Sequence, residues 1–316
     1  MSNADFKETE RKINGVLDEV ETVIIGKRNT ITLVLTAILS NGHVLIDDVP
    51  GVGKTTLAKS LAKALGCTFK RIQFTPDLLP ADITGTSVFN QKTSEFEFRR
   101  GPIFAQFVLA DEINRATPKT QSSLLECMEE HQVTADGITH PLPAPFFVIA
   151  TENTAEYHGT YPLPEAQLDR FMLRISMGYP EFREEAQIVD SQTVEHPLTN
   201  VRTILTLEQI VELQRAVKEV HLEASLRDYI VQIVSATRKH PMVALGASPR
   251  GSLCISHGAR SFAAISGRDY VVPDDVKALA APVLAHRLIL KPEARIKGVS
   301  AADIVGEVVA GVTVPC

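Results

Sequence analysis

The run Asp48–Thr56, DVPGVGKTT, sets two glycines, a lysine and adjacent hydroxyls directly behind the apolar stretch His43–Ile46. That order reads as a buried strand emptying into a tight loop, which opens a helix near Lys54. Such a loop can hold a phosphate chain. Backbone N–H groups at the helix start point at the anion, and the lysine adds a compact positive charge. Gly51 and Gly53 let the backbone wrap closely, with Val49, Pro50, Val52 and Thr56 completing the wrap. Lys54 would reach the β and γ phosphates, and the Thr55 hydroxyl would coordinate magnesium. The usual spacing puts a glycine where this chain has Asp48.

Three further signals lie downstream. Phe107–Glu112, FVLADE, is an apolar strand that delivers two carboxylates at its end. Asp111 is expected to hold magnesium, and Glu112 to orient and activate an attacking water. Phe146–Asn153, FFVIATEN, is a second buried strand ending in a polar residue, and Asn153 can contact that water or the γ-phosphate. Arg170 and Arg250 lie outside the first loop, and arginine is well suited to clamping developing phosphoryl charge. A guanine-reading NKxD motif is absent, which favours ATP. An acid beside the metal-binding aspartate favours hydrolysis.

The elements that must position these groups are legible as periodicity. Phe6–Glu21 reads as a polar helical lead-in, and Thr30–Leu39 as a helix stopped by Asn41-Gly42. Strands are expected at His43–Asp47, Phe69–Phe74, Gln106–Ala110, Phe146–Ala150 and Met172–Ser176. Lys54–Leu65 is a helix with Gly66 as its C-cap. Continuously apolar strands alternating with helices predict a parallel sheet covered on both faces, an α/β domain over residues 1–177. A polar segment over 178–204 reads as a hinge. Beyond it, over 205–316, the pattern is helical, with stretches at 252–266 and 274–290, the latter broken or kinked at Pro282. A last helix is expected after Ser300.

The 316 residues suffice for one large or two modest domains. A net charge of -6 gives no support for a generic nucleic-acid surface. Cys67, Cys127, Cys254 and Cys316 lack zinc or CxxC spacing, and no run is long and apolar enough to span a bilayer. Reduced thiols and a cytoplasmic location are the expectation. His43, His257 and His286 have no metal-ligand spacing and read as packing or surface histidines.

The order of these pieces resembles the MoxR family of AAA+ ATPases. The resemblance rests on His43–Lys59, Gly101–Thr134, Pro145–Asn153, Gly159–Phe171, Gly246–Gly251, Tyr270–Val276 and His286–Leu288, and covers nearly the whole chain. It implies a five-stranded αβα P-loop core followed by a C-terminal helical lid. It also implies a homo-oligomeric ring, usually a hexamer, with ATP and magnesium between subunits. Lys54 and Thr55 then take the Walker A roles, Asp111 and Glu112 the Walker B roles, and Asn153 that of sensor 1. Arg170 becomes the arginine finger and Arg250 sensor 2, while Ile25 and Gly26 resemble the segment lining the adenine pocket. Insertions near 75–100 and 132–145, the second with a hairpin signal at Asp136-Gly137, resemble the family's helix-2 insertion and its hairpin before sensor 1, which would project from the ring face or towards its pore, where they could touch a client. Glu152 and Thr154 depart from the family's usual glutamine and proline. Relatives resemble chaperones that mature protein complexes, often beside a von Willebrand factor A domain protein. A nucleic-acid motor or loader, or a non-hydrolysing scaffold, are the alternatives.

Overall fold

The computed structural model describes residues 3–153, 159–191 and 197–315. Thr154 and Cys316 lie outside them. Helices α1 (Asn3–Glu21) and α2 (Arg28–Leu39) come first. Strand β1 (Val44–Asp47) then leads through the glycine loop into α3 (Lys54–Ala64) and β2 (Phe69–Gln73). A short helix α4 (Pro80–Thr84) and the hairpin β3 (Gly85–Asn90) and β4 (Glu95–Arg100) follow. Next come β5 (Phe107–Asp111), α5 (Pro118–Glu130), the hairpin β6 (Gln132–Ala135) and β7 (Ile138–Pro141), and β8 (Phe147–Glu152). The short helix α6 (Glu165–Leu168) precedes β9 (Leu173–Ile175).

Strands β2-β5-β8-β1-β9 form one sheet in that order, every pairing parallel. Alternate residues of each central strand enter different apolar clusters. Val44, Ile46, Leu109 and Ile149 pack with α1, α2, α3 and the C-terminal helices. Leu45, Val108, Ala110, Val148 and Ala150 pack with α5 on the other face. Burial on both faces is why these strands read as unbroken apolar runs. The parallel order brings the ends of β1, β5 and β8, with Asp48, Glu112 and Asn153, to one edge of the sheet, where ligands of open α/β sheets bind.

The C-terminal half holds α7 (Phe182–Ser191), α8 (Leu207–Ala216), α9 (Ala224–Lys239), α10 (Pro249–Ile265), α11 (Pro273–Leu284), α12 (Pro292–Ile296) and α13 (Ala301–Gly311). Strands β10 (Val243–Leu245) and β11 (Ile289–Leu290) pair antiparallel. Four expectations need correction. The 178–204 segment is not featureless, since it carries α7 and a 3-10 turn at Pro197–Asn200. The helix expected over 274–290 ends at Leu284, two residues past Pro282, passes through a 3-10 turn, and gives Ile289–Leu290 to a strand. The proline interrupts the hydrogen-bond ladder without breaking the helix at once. The helix expected from Ser252 starts at Pro249, because Ser248 caps it by accepting from the Arg250 N–H. The N-terminal helix is more than a lead-in: Phe6, Ile13, Val16, Leu17 and Val20 are buried in the main core.

Arg287 latches the C-terminal helices to the sheet. The residue is 7% exposed, and its guanidinium donates to Asp169 Oδ1 at 2.7 Å, to the Phe171 carbonyl at 2.8 Å and to the Met172 carbonyl at 3.3 Å. His286 beside it is buried, and its Nε2 meets the Phe171 carbonyl at 3.2 Å. Burial holds the His286 imidazole well below its ordinary pKa, which keeps it neutral beside that guanidinium. Arg287→Leu leaves Asp169 without its cation and takes a donor from the carbonyls of Phe171 and Met172. The variant is expected to lose about 3 kcal/mol in urea unfolding; an unchanged midpoint would show that the latch carries no weight.

Candidate active site

Gly51 and Gly53 adopt φ of 85° and 92°, a left-handed conformation that costs an L side chain energy. Space is not the reason for glycine here: a Cβ on Gly51 would meet nothing within 4 Å. The loop thus curls through backbone shape alone and delivers Lys54 as the first residue of α3.

Asp48 braces this loop. Its Oδ2 accepts from the Ser176 hydroxyl at 2.8 Å, the Met177 N–H at 2.6 Å and the Gly178 N–H at 2.7 Å. Its Oδ1 accepts from the Val49 N–H at 2.8 Å. Burial alone would raise the carboxyl's pKa, but the donors from Gly178, Ser176, Val49 and Met177 outweigh it and hold the group below its ordinary value. Lys54 Nζ donates to the carbonyls of Asp48 at 2.6 Å and Glu152 at 3.1 Å, and desolvation lowers its pKa despite the surrounding carboxylates. The acidic departure from the usual glycine is therefore a tie between the loop and the segment beyond β9.

Two clefts meet at the loop. The polar one, about 310 Å³, gathers Lys54, Thr55, Asp111, Glu112 and Asn153 with Thr56. The apolar one, about 430 Å³, is walled by Ile24, Ile25, Val52, Met177 and Ile188. Pro50, Gly51, Gly53 and Thr56 line both. Val49 and Gly26 line neither. Val49 uses its N–H on Asp48, while Gly26, at φ 73°, lets Glu184 of α7 approach so closely that a Cβ would lie 1.8 Å from its carboxylate.

The two acids are held from behind by residues that motif reading missed. Thr151 Oγ1 donates to Asp111 Oδ1 at 2.6 Å and accepts from the Glu112 N–H at 2.8 Å. Arg71 on β2 donates to Asp111 Oδ2 through Nε at 2.9 Å and lies 2.7 Å away through Nη2. Arg71 also bonds Gln73 Oε1, and Gln73 Nε2 donates to Glu112 Oε2 at 2.9 Å. Arg115 Nε lies 3.1 Å from the same oxygen. A signal existed: Arg71 and Gln73 alternate with apolar Ile72 on a strand beside β5, and Thr151 is a lone hydroxyl in a buried strand, where it must find partners.

Arg170 and Arg250 do not line the cleft around Lys54. They share one carboxylate elsewhere: Glu129 Oε2 lies 3.2 Å from Arg170 Nη2, and Glu129 Oε1 lies 3.2 Å from Arg250 Nη2. Arg170 Nη1 also donates to the Leu125 carbonyl at 2.7 Å. The Ser248 hydroxyl, which caps the Arg250 helix, donates to Asp169 Oδ2 at 3.2 Å. The two arginines therefore stand as a fixed pair on one face.

Two of the histidines expected to be packing or surface groups, His43 and His286, hold backbone. His43 Nδ1 accepts from the Val148 N–H and its Nε2 meets the Met128 carbonyl, both at 3.1 Å, and burial pushes its pKa down to about 4. Among the described residues no group of three His, Cys, Asp or Glu could hold a metal, and no helix is long and apolar enough to cross a membrane. Burial pushes the Cys67 and Cys127 thiols up to about 12.

Behind the loop, Glu152 is pushed up to about 7, first by burial and then by Asp47, against the opposing pull of Arg174. The folded chain then keeps a proton that the unfolded chain releases from about pH 4.5 upward, so this group makes stability fall between about pH 4.5 and 7. Glu152→Gln should flatten that stretch in pH-resolved thermal melts; an unaltered slope would contradict the assignment. Asp48 acts in the opposite sense. Its contribution is complete above the ordinary aspartate range and is lost as pH falls through its lowered value. At neutral pH, Asp48→Asn places an amide among N–H donors. It should lower stability by about 2 kcal/mol and weaken binding of a fluorescent ATP analogue, whereas wild-type values for both would refute the brace.

The comparisons agree with this geometry. Residues 43–173 match the ATPase family associated with various cellular activities (AAA), and residues 235–308 match the AAA lid domain. The chain is 52% identical to the YeaC protein of Bacillus subtilis, described as uncharacterized, over 95% of this chain and 93% of that one. It is 44% identical to Chaperone MoxR1 of Mycobacterium tuberculosis, over 94% and 81% of the two chains. It is 32% identical to Protein MoxR of Paracoccus denitrificans, over 92% and 90%. A crystal structure from Cytophaga hutchinsonii, of a protein assigned as an ATPase, superposes with a TM-score of 0.91 at 39% identity, covering 98% of this chain and 97% of that one. With its P-loop, strand-end acids, parallel sheet and helical lid, the chain belongs to the MoxR family of AAA+ ATPases.

Proposed function

We propose that this chain binds ATP with magnesium and hydrolyses it at the boundary between two copies of itself in a ring, expected to be a hexamer. The observation that carries the reading is the convergence of Lys54, Thr55, Asp111, Glu112 and Asn153 on one cleft, continuous with an apolar cleft at Ile24 and Ile25. A polar compartment joined to an apolar one by a glycine loop fits a nucleotide: phosphates beside Lys54, base beside Ile25. Thr55 and Asp111 would hold the magnesium ion. When bound, that ion supplies neutralising charge to the phosphoryl oxygens.

Glu112 takes the proton of the attacking water. Its Oε2 already accepts from Gln73 and lies against Arg115, so proton abstraction is assigned to Oε1. Asn153 orients that water. Arg170 and Arg250 stand on Glu129 away from their own loop, and we assign both to the neighbouring subunit's γ-phosphate. Contacts made mainly in the transition state lower turnover more than binding when they are removed.

The likeness to a mycobacterial protein named as a chaperone supports a chaperone-like role on a protein client. We assign client contact to the two hairpins. They meet where Phe98 stacks on His140 at 4.2 Å, and they leave Phe89, Phe96 and Ile138 exposed. A von Willebrand factor A domain protein is the companion the family resemblance implies.

Phosphate release tests the enzyme. Glu112→Gln should lower turnover by about 10²-fold or more while ATP still binds, and Arg170→Ala by about 10³-fold. Unchanged turnover in Glu112→Gln would remove Glu112 as the base.

A further inference from the structure

The ladder between β5 and β8 ends at Ala110 opposite Ala150. Asp111 and Glu112 lie beyond that ladder, yet they must be held to work. The next residue of β8 supplies the tie with its side chain. Thr151 is fully buried, and its single hydroxyl donates to the Asp111 carboxylate at 2.6 Å while accepting the Glu112 N–H at 2.8 Å. Glu112 has φ 57° and ψ 52°, a left-handed conformation unfavourable to an L residue. The bond from its N–H to Thr151 fixes that turn. The turn in turn decides where the Glu112 carboxylate stands relative to Asp111.

We propose that Thr151 is a positioning residue for both acids, one hydroxyl orienting the Asp111 carboxylate and locking the backbone turn that aims Glu112. A β-branched residue suits the role, since its χ1 is stiff in a strand and the hydroxyl is held in one direction. Arg71 and Gln73 grip the same acids from β2, but through separate side chains. Thr151 alone among these touches both, so it sets their mutual geometry. Asn153 follows two residues later in the same cleft, so β8 carries this tie and the polar residue assigned to the water together. The inference rests on the hydrolytic reading above.

The test compares Thr151→Val, which keeps the branched shape, with Thr151→Ser, which keeps the hydroxyl, in the full chain. Turnover is measured against ATP and magnesium, with nucleotide affinity from a fluorescent ATP analogue and thermal melts alongside. Thr151→Val should lower kcat on the order of a hundredfold, raise the magnesium needed for half-maximal rate and leave nucleotide affinity near wild type. Thr151→Ser should recover most of the rate. The proposal is overturned if the valine variant keeps wild-type kcat and magnesium response, or if serine is as impaired as valine. Should valine unfold the chain, Thr151→Cys, with its weak S–H donor, gives the same comparison against serine. Wild-type turnover that is lost in Glu112→Gln but kept in Thr151→Val sinks this proposal alone. Turnover unaffected by Glu112→Gln sinks the hydrolytic reading instead.

Discussion

One buried carboxylate holds the site in shape. Asp48 accepts four hydrogen bonds, one from its own loop and three from Ser176, Met177 and Gly178 beyond β9. A glycine loop is shaped by backbone freedom, and freedom without restraint costs entropy on ordering. The carboxylate supplies the restraint. Lys54 adds a second one, bonding the carbonyls of Asp48 and Glu152. The loop is thereby tied to the ends of β1, β8 and β9 at once. Met177 and Gly178, fixed by the same carboxylate, also line the apolar cleft. One interaction therefore sets the phosphate side and the base side in common register.

The acids answer to a similar logic. Asp111 and Glu112 sit where the ladder between β5 and β8 has ended, although Asp111 still pairs with Gln73 on β2, and side chains from both neighbouring strands take over. The arginine pair is arranged differently. Arg170 follows Asp169, which Arg287 and Ser248 bind from the C-terminal helices, and Arg250 begins in the helix that Ser248 caps. Arg170 itself is held by the Leu125 carbonyl and Glu129 of α5, and Arg250 meets the same Glu129, so this carboxylate joins the two groups of contacts. The geometry gives the lid a mechanical connection to the residues assigned to a neighbour's nucleotide.

Much of this was legible in the residues. Gln106–Ala110 and Phe146–Ala150 read as strands because both faces of β5 and β8 are buried, and Gly51 and Gly53 read as a phosphate loop because only glycine takes their φ readily. Asp111 and Glu112 stood out by their place after an apolar run. What stayed hidden was long-range. Three of the four donors to Asp48 are some 130 residues away, and the partners of Asp111 are 40 residues away on adjacent strands, so nothing in the local pattern marks them. Asp48 therefore read as a departure when it is a brace. Pro282 read as a break or kink, and the helix continues past its missing N–H for only two residues. The α7 helix was missed because its described residues are all at least partly exposed, so no apolar stripe needed to be buried.

The central claim is that the loop is half of a site whose arginines come from another copy. Mixing two inactive variants tests it most directly. Lys54→Ala removes the phosphate lysine, and Arg170→Ala removes the finger. If the halves belong to different subunits, co-assembled chains contain boundaries where an intact loop faces an intact arginine, and phosphate release should return in the mixture. A mixture as silent as either variant alone, despite co-assembly, would contradict the account.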